Sequence, residues 1–279
     1  MVGGLREAVK LLVDGLTTKI TRADQELRVL DYPSAIDLSS GHLRHLAGHL
    51  AARRREIGTR WRRITPGRQA LLVLAHLRCG DTYAQLAAGF DIGVATVYRY
   101  AREAIEVLAT LAPSLVRVMR TSSRLAFAIL DGTLLPVDRI AADTPYYSGK
   151  HKRHGMNVQV LTDPFGRLLW ASSALPGSTH DLTAARTQRD RRSSRRCRTQ
   201  VLGGQGIPRR WLPGPGALDR RRLKQWQRRH NSTHAKIRCV GEQAMAILKG
   251  WRLLRKLRCS TNRITDIVKA VLVLHHAST

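Results

Sequence analysis

Leu125-Ala-Phe-Ala-Ile-Leu-Asp131-Gly-Thr133 is the stretch on which the reading of the chain turns. Before it, from residue 37 to about 119, apolar residues recur at helical spacing. After it, they come in short blocks or alternate. The apolar run up to Leu130 has the length of a strand, and Asp131 stands at its end. A carboxylate there is well placed to bind a hard divalent cation through oxygen. Asp-Gly is also a hairpin turn signal, and taken alone the turn is the simpler reading.

Downstream, Met156-Asn-Val-Gln-Val-Leu161 alternates as a second strand and turns at Asp163-Pro-Phe-Gly166. Arg167-Leu-Leu-Trp-Ala-Ser172 follows as a third strand. Leu175-Pro-Gly-Ser-Thr-His-Asp181 then leads into a helix from Leu182, with Asp181 as its cap. From 234 to about 257 an amphipathic helix is expected, with Ile237, Val240, Ala244, Leu248, Trp251 and Leu254 on one stripe. A last apolar helix runs from Ile264 to Leu274. Glu242 lies near the start of the long helix and Lys249 two turns later on the same face; alone, Glu242 reads as a solvated glutamate.

Upstream, Gly67-Arg-Gln-Ala-Leu-Leu-Val-Leu-Ala-His-Leu-Arg78 reads as a buried helix stopping at Cys79-Gly80. Asp81 and Thr82 cap a short helix to Phe90, Asp91-Ile-Gly93 turns, and a second helix runs from about Val94 toward Leu108. Two helices joined by a tight Gly-containing turn match a helix-turn-helix, over about 81–108. Thr96, Arg99 and Tyr100 are then the candidate DNA contacts; the alternative is a plain helical bundle. Arg53-Arg-Arg55 and Trp61-Arg-Arg63 just upstream favour the DNA-binding reading. Residues 1–30 carry a separate amphipathic pattern on Leu5, Val9, Leu12 and Val13 and read as an N-terminal extension of uncertain standing.

The 279 residues hold 48 Lys+Arg against 20 Asp+Glu, a formal charge of +28. Such an excess repels itself unless a polyanion accompanies it, and nucleic acid is the natural partner because neutralised phosphates release counterions. No apolar run is long enough to span a bilayer and no signal-peptide pattern opens the chain, so an acidic membrane ranks second and a cytoplasmic location is expected. Cys79, Cys197, Cys239 and Cys259 are scattered, against a zinc site or disulfide framework. His151 and His154 look like zinc ligands only superficially, since no third ligand is spaced nearby.

Four strings occur in a telling order: Ile129-Leu-Asp131-Gly-Thr133; Tyr147-Ser-Gly-Lys-His-Lys-Arg-His-Gly155-Met-Asn157; Pro176-Gly-Ser-Thr-His-Asp181; and Val240-Gly-Glu242-Gln-Ala-Met-Ala-Ile-Leu-Lys249. In that order they resemble the DDE transposases of bacterial insertion sequences, the group with an N-terminal helix-turn-helix. The resemblance covers roughly 32–278, interrupted once. It implies an α/β architecture: a helical DNA-binding region over 31–121, then a ribonuclease-H-like mixed sheet flanked by helices over 122–279. It implies three acidic residues holding two Mg²⁺ or Mn²⁺ ions, with Asp131 matching the first acid and Glu242 the third. Two cations about 3.5–4 Å apart can activate a nucleophile and stabilise a leaving oxygen in an in-line displacement. Water would first cut a strand at the element's end, and the freed 3′-hydroxyl would then attack target DNA. Lys150, Lys152, Arg153 and Lys249 would hold phosphates; a solvated basic loop is the plainer alternative. The implied partner is double-stranded DNA, both terminal repeats and target, and a homodimer stays open as the assembly.

The second acid of the family is missing. Where a string like Ala-Asp-Lys-Gly-Tyr is expected, the chain has Gly203-Gly-Gln-Gly-Ile-Pro208, preceded by the basic tract Arg189-Asp-Arg-Arg-Ser-Ser-Arg-Arg-Cys-Arg198. The tract reads as solvated, and could equally be a DNA-binding insertion. GGC GGA CAA GGG AUA CCG encodes the first string; without its first nucleotide it reads GCG GAC AAG GGA UAC, which is Ala-Asp-Lys-Gly-Tyr. The expectation is a shifted frame over about 188–219, with that segment disordered, the fourth strand lost and cleavage impaired. The alternative is a non-catalytic DNA-binding protein, a repressor or regulator of transposition. An RNA-binding protein ranks last for want of aromatic stacking motifs.

Overall fold

The computed structural model describes residues 36, 38–59, 61–122, 125–138, 145–181, 183–184, 200–203 and 225–277. The N-terminal amphipathic pattern and nearly all of 188–219 lie outside them. The chain forms two compact units: residues 1–111 with Trp251–Leu253 and Val273–Thr279, and Ala112–Gly250 with Leu254–Leu272.

The first unit is helical. α1 (Ser40–Ile57) buries Leu43, Leu46 and Leu50 and stops where Gly58 takes the left-handed conformation at φ 68°. α2 (Pro66–Cys79) starts with Thr65 accepting from the Arg68 N–H and Pro66 in its first turn. It ends, as the sequence indicates, at Gly80 with φ 76°. α2 is the centre of the unit, with Leu72, Val73, Leu74 and Leu77 fully buried. α3 (Tyr83–Phe90) carries a capping box, Thr82 with Gln85. Asp91 turns the chain at φ 53°, and α4 (Val94–Leu111) follows with Val97, Tyr100, Ala101, Ala104, Ile105 and Leu108 inward.

The second unit opens with α5 (Leu115–Thr121), so the domain boundary falls at 111 rather than 121. Val118 of α5 belongs to a core cluster with Ala128, Leu161 and Trp170, which ties that helix to the sheet. The sheet strands are β1 (Phe127–Pro136), β2 (Tyr147–Ser148), β3 (Arg153–Thr162), β4 (Leu168–Ala171), β5 (Leu175–Pro176) and β6 (Gln200–Gly203). β1 and β3 pair antiparallel over eight residues, from Ile129 opposite Thr162 to Pro136 opposite Gly155. β4 and β5 pair antiparallel with β3, giving the expected meander of three strands plus the short β2 and β5. The β3–β4 turn forms at 163–166 as expected, with Phe165 and Arg167 N–H groups donating to Asp163 Oδ1 and Gly166 at φ 84°.

Three expectations are corrected. β1 does not end at Asp131; it runs on to Pro136, and Asp131-Gly132 is mid-strand rather than a turn. The reason is cross-strand pairing: Asp131 faces Val160 and Gly132 faces Gln159 in register. The fourth strand is not lost, since β6 pairs parallel with β1, Gly203 standing opposite Leu130. The long helix, α6, spans Gln225–Gly250 and not 234–257; Trp251 and Leu254 are buried, but in a break followed by a 3₁₀ turn, Arg252–Arg255. The last helix, α7 (Ile264–His276), matches its expected place.

Helices cover both faces of the sheet. α6 packs on β1 and β3, and α5 on β4. Side chains alternate across a strand. Ile129 and Asp131 therefore face α6, while Ala128, Leu130 and Gly132 face the α5 side.

Candidate active site and DNA-binding unit

Asp131 is half-buried on β1, on the face that α6 covers. The helix comes close because Gly241 has no side chain. A Cβ built there would lie 3.3 Å from Ile129 Cγ2 and 3.8 Å from Asp131 Oδ2. Glu242 is the next residue on the helix and is exposed. Asp131 Oδ1 accepts the Gly132 N–H at 2.9 Å, which orients the carboxylate.

Asp181 sits on the other side of the sheet. A Cβ on Gly132 would fall 2.6 Å from Asp181 Oδ1 and 2.7 Å from Gln159 Nε2. Asp181 accepts from Asn157 Nδ2 at 2.9 Å and from Lys150 Nζ at 2.8 Å. It is not the helix cap expected from the sequence. His180 holds that place, its carbonyl accepting the Ala184 N–H at 2.9 Å, and Asp181 is the first helical residue reaching sideways. Asn157 also donates to the Thr179 carbonyl, and Gln159 Nε2 to Asn157 Oδ1. Gln159 is 1% exposed, and its Oε1 has no hydrogen-bond partner.

Among the described residues, no group of three or more His, Cys, Asp or Glu side chains could hold a metal ion. Asp131 and Glu242 are hard anionic oxygen donors of the type Mg²⁺ or Mn²⁺ takes. These two residues suit such ions in kind.

Positive charge gathers beside this site. Lys150, His151, Lys152 and Arg153 are exposed on the loop entering β3, with Lys152 at φ 50°. Burial pushes the Lys249 ammonium below its ordinary value, with Arg153 adding to the effect. His151 is lowered by burial first and then by Lys150, while Asp181 opposes the shift. Of the four expected cations, Lys150 is engaged by Asp181, its ammonium 2.8 Å from Oδ2.

In the first unit, α3, the turn at 91–93 and α4 form the expected helix-turn-helix. Gly93 starts α4, its carbonyl accepting from the Thr96 and Val97 N–H groups. Arg99 is exposed and donates to Thr96 Oγ1 at 3.4 Å. Tyr100 is a correction: it is 5% exposed and its hydroxyl accepts the Arg63 N–H at 3.0 Å, so it belongs to the interior and not to a base-reading surface. Helical phase decides this, since Tyr100 shares a stripe with Val97, Ala104 and Leu108.

Sequence reading missed Asp181 as the holder of Lys150, and Gly241 as the point of closest approach. A glycine inside an otherwise regular helical pattern is the one signal that could have found Gly241. Among the described residues Cys79, Cys239 and Cys259 form no disulfide, and no helix is long and apolar enough to cross a membrane.

The family model of the DDE superfamily endonuclease matches residues 130–276, and that of the helix-turn-helix of DDE superfamily endonuclease matches residues 62–114. No curated protein and no solved structure matches the chain.

Proposed function

The chain belongs to the DDE superfamily of endonucleases, and from that premise we propose that it is the transposase of a bacterial insertion sequence, with cleavage and strand transfer impaired by loss of its second catalytic acid. Its helix-turn-helix and endonuclease domains make DNA its partner and DNA cleavage its family activity. Asp131 and Glu242 are the surviving acids of the site, and the close approach of Gly241 to Asp131 is the observation that carries this assignment. Divalent ions, when bound, activate the attacking oxygen and stabilise the leaving one. The chain's own residues hold the DNA: Thr96 and Arg99 at bases, and Lys152, Arg153 and Lys249 at phosphates. The protein acts in the cytoplasm on chromosomal DNA, and a homodimer would let it hold two element ends.

β6 sharpens the frameshift reading. Gln200–Gly203 pairs with β1 up to Leu130, one residue short of Asp131. A strand in that register is in keeping with an intact frame through Leu202. The break then belongs at the codons of Gly203 and Gly204, later than residue 188, which is where removal of one nucleotide yields Ala-Asp-Lys-Gly-Tyr.

A strand-transfer assay with Mg²⁺ and duplexes carrying the DNA that flanks the gene tests the proposal. The chain as written is expected to bind DNA and cleave poorly, and the chain with that nucleotide removed and the downstream frame restored is expected to cleave and join. D131A and E242A in the restored chain should lose cleavage and keep DNA affinity. Robust strand transfer by the chain as written would defeat the dead-site reading. A restored chain that binds without cutting would favour the second reading, a repressor or regulator of transposition, which the shortage of one carboxylate supports.

A further inference from the structure

Trp61 is 91% exposed, more than any other large apolar residue of the described chain. Single exposed apolar side chains are ordinary, but this one is held in place. Arg62 makes a bidentate pair with Glu103, at 2.9 and 2.8 Å, and its guanidinium lies 5.7 Å from the Tyr100 ring centre. The Arg63 N–H donates to the Tyr100 hydroxyl, and Ile64 is buried with its carbonyl accepting from Arg54 Nη1. With residues 62–64 pinned on α4 and the core, Trp61 and the exposed Arg63 project from a fixed loop.

The loop's position relative to α4 gives it a use. Glu103, its anchor, lies one turn after Arg99, and residues four apart are neighbours on a helix surface. Thr96 is on the same flank. When the second helix of a helix-turn-helix enters the major groove, whatever flanks it meets the groove wall, which is sugar and phosphate.

We propose that residues 61–64 form a second DNA-contacting element, in which Arg63 binds a backbone phosphate and the Trp61 ring packs on the adjoining sugars beside the groove that α4 enters. It rests on the helix-turn-helix reading and extends it to a sequence-independent clamp. Rigid anchoring means little ordering entropy is lost when the aromatic ring docks.

The test measures affinity of the full chain for two short duplexes of unrelated sequence, across a salt series. W61A and R63A are each expected to weaken binding roughly three- to tenfold on both duplexes. R63A should lower the slope of log K against log salt by about 1, and W61A should leave it unchanged. Neither should move the thermal midpoint, and acrylamide quenching of the fluorescence component lost in W61A should fall when DNA is added. Parent-like binding by both variants while R99A weakens it would overturn the clamp and leave the helix-turn-helix reading standing. Parent-like binding by all three, R99A included, would overturn both.

Discussion

Gly241 stands directly against Asp131, with room for a Cβ 3.8 Å from the carboxylate oxygen Oδ2 and 3.3 Å from Ile129 Cγ2. The backbone of α6 at Gly241 therefore lies close against β1. G241A gains up to about 1 kcal/mol of helix propensity and gives back a similar amount to the squeeze on Ile129, so it should be near neutral. G241L should cost about 1–3 kcal/mol by overpacking. Denaturant midpoints of the two variants check this; equal stability of G241L and the parent would mean that the helix does not sit on Asp131.

Gly132 is the matching position on the other face. A Cβ there meets Asp181 Oδ1 at 2.6 Å and Gln159 Nε2 at 2.7 Å, closer than side chains tolerate. G132A should lose about 1–3 kcal/mol. Its partners are side-chain tips, so D181A should restore part of that loss, and the double-mutant cycle should show a coupling on the order of 1 kcal/mol. Strictly additive costs would refute the contact.

Arg62 and Glu103 form the most enclosed ion pair of the helical unit, 2.8 Å apart with side chains 20% and 18% exposed. Gln69 Nε2 adds a bond to Glu103 Oε2, and Arg54 Nη2 one to Gln69 Oε1, so the pair is the centre of a network. R62A strands a largely buried carboxylate and should cost roughly 3 kcal/mol. Replacing both, R62M with E103M, should cost much less, because no charge is left unpaired. Chemical denaturation of the two variants measures both values.

The same unit should weaken in acid. His42, His45, His76 and His275 are all held below the ordinary value of 6.5, chiefly by burial. For His76 burial outweighs the Asp81 carbonyl, which lies 2.7 Å from Nδ1 and, as an acceptor, favours the protonated ring. Because the folded values are depressed, the unfolded chain binds more protons below pH 6.5. Stability is therefore complete above that value and is lost as pH falls toward the folded values. The thermal midpoint should drop by several degrees on going from about pH 7.5 to 5.5, and H76Q should flatten the curve. A flat profile in the parent would show that these imidazoles are hydrated.

The sheet pattern and the helix boundaries at Cys79, Phe90 and Val94 were legible because they depend on neighbours in the chain: periodicity, a capping box, a glycine at a helix end. Asp131 and Glu242 stood out only through the strings around them, and their role is the proposal made above. Tyr100 was misread as a DNA contact because it is adjacent to Arg99 in sequence, yet about 100° round the helix it falls on the buried stripe. Lys150 looked like its basic neighbours, and only the folded loop brings it to Asp181, 31 residues on.

What neighbours in the chain decide was already written in the sequence: most of the helices, the three-strand meander, and a polyanion preference carried by a charge of +28. Tertiary structure alone decided that Asp131-Gly132 is strand and not turn, that Asp181 lies on the face away from Asp131, and that Gln200–Gly203 completes the edge of β1. The division has one physical cause. Local propensities act over a few residues, whereas pairing register and the side of a sheet on which a carboxylate emerges are fixed by partners far along the chain, where a slip of one residue exchanges the two faces.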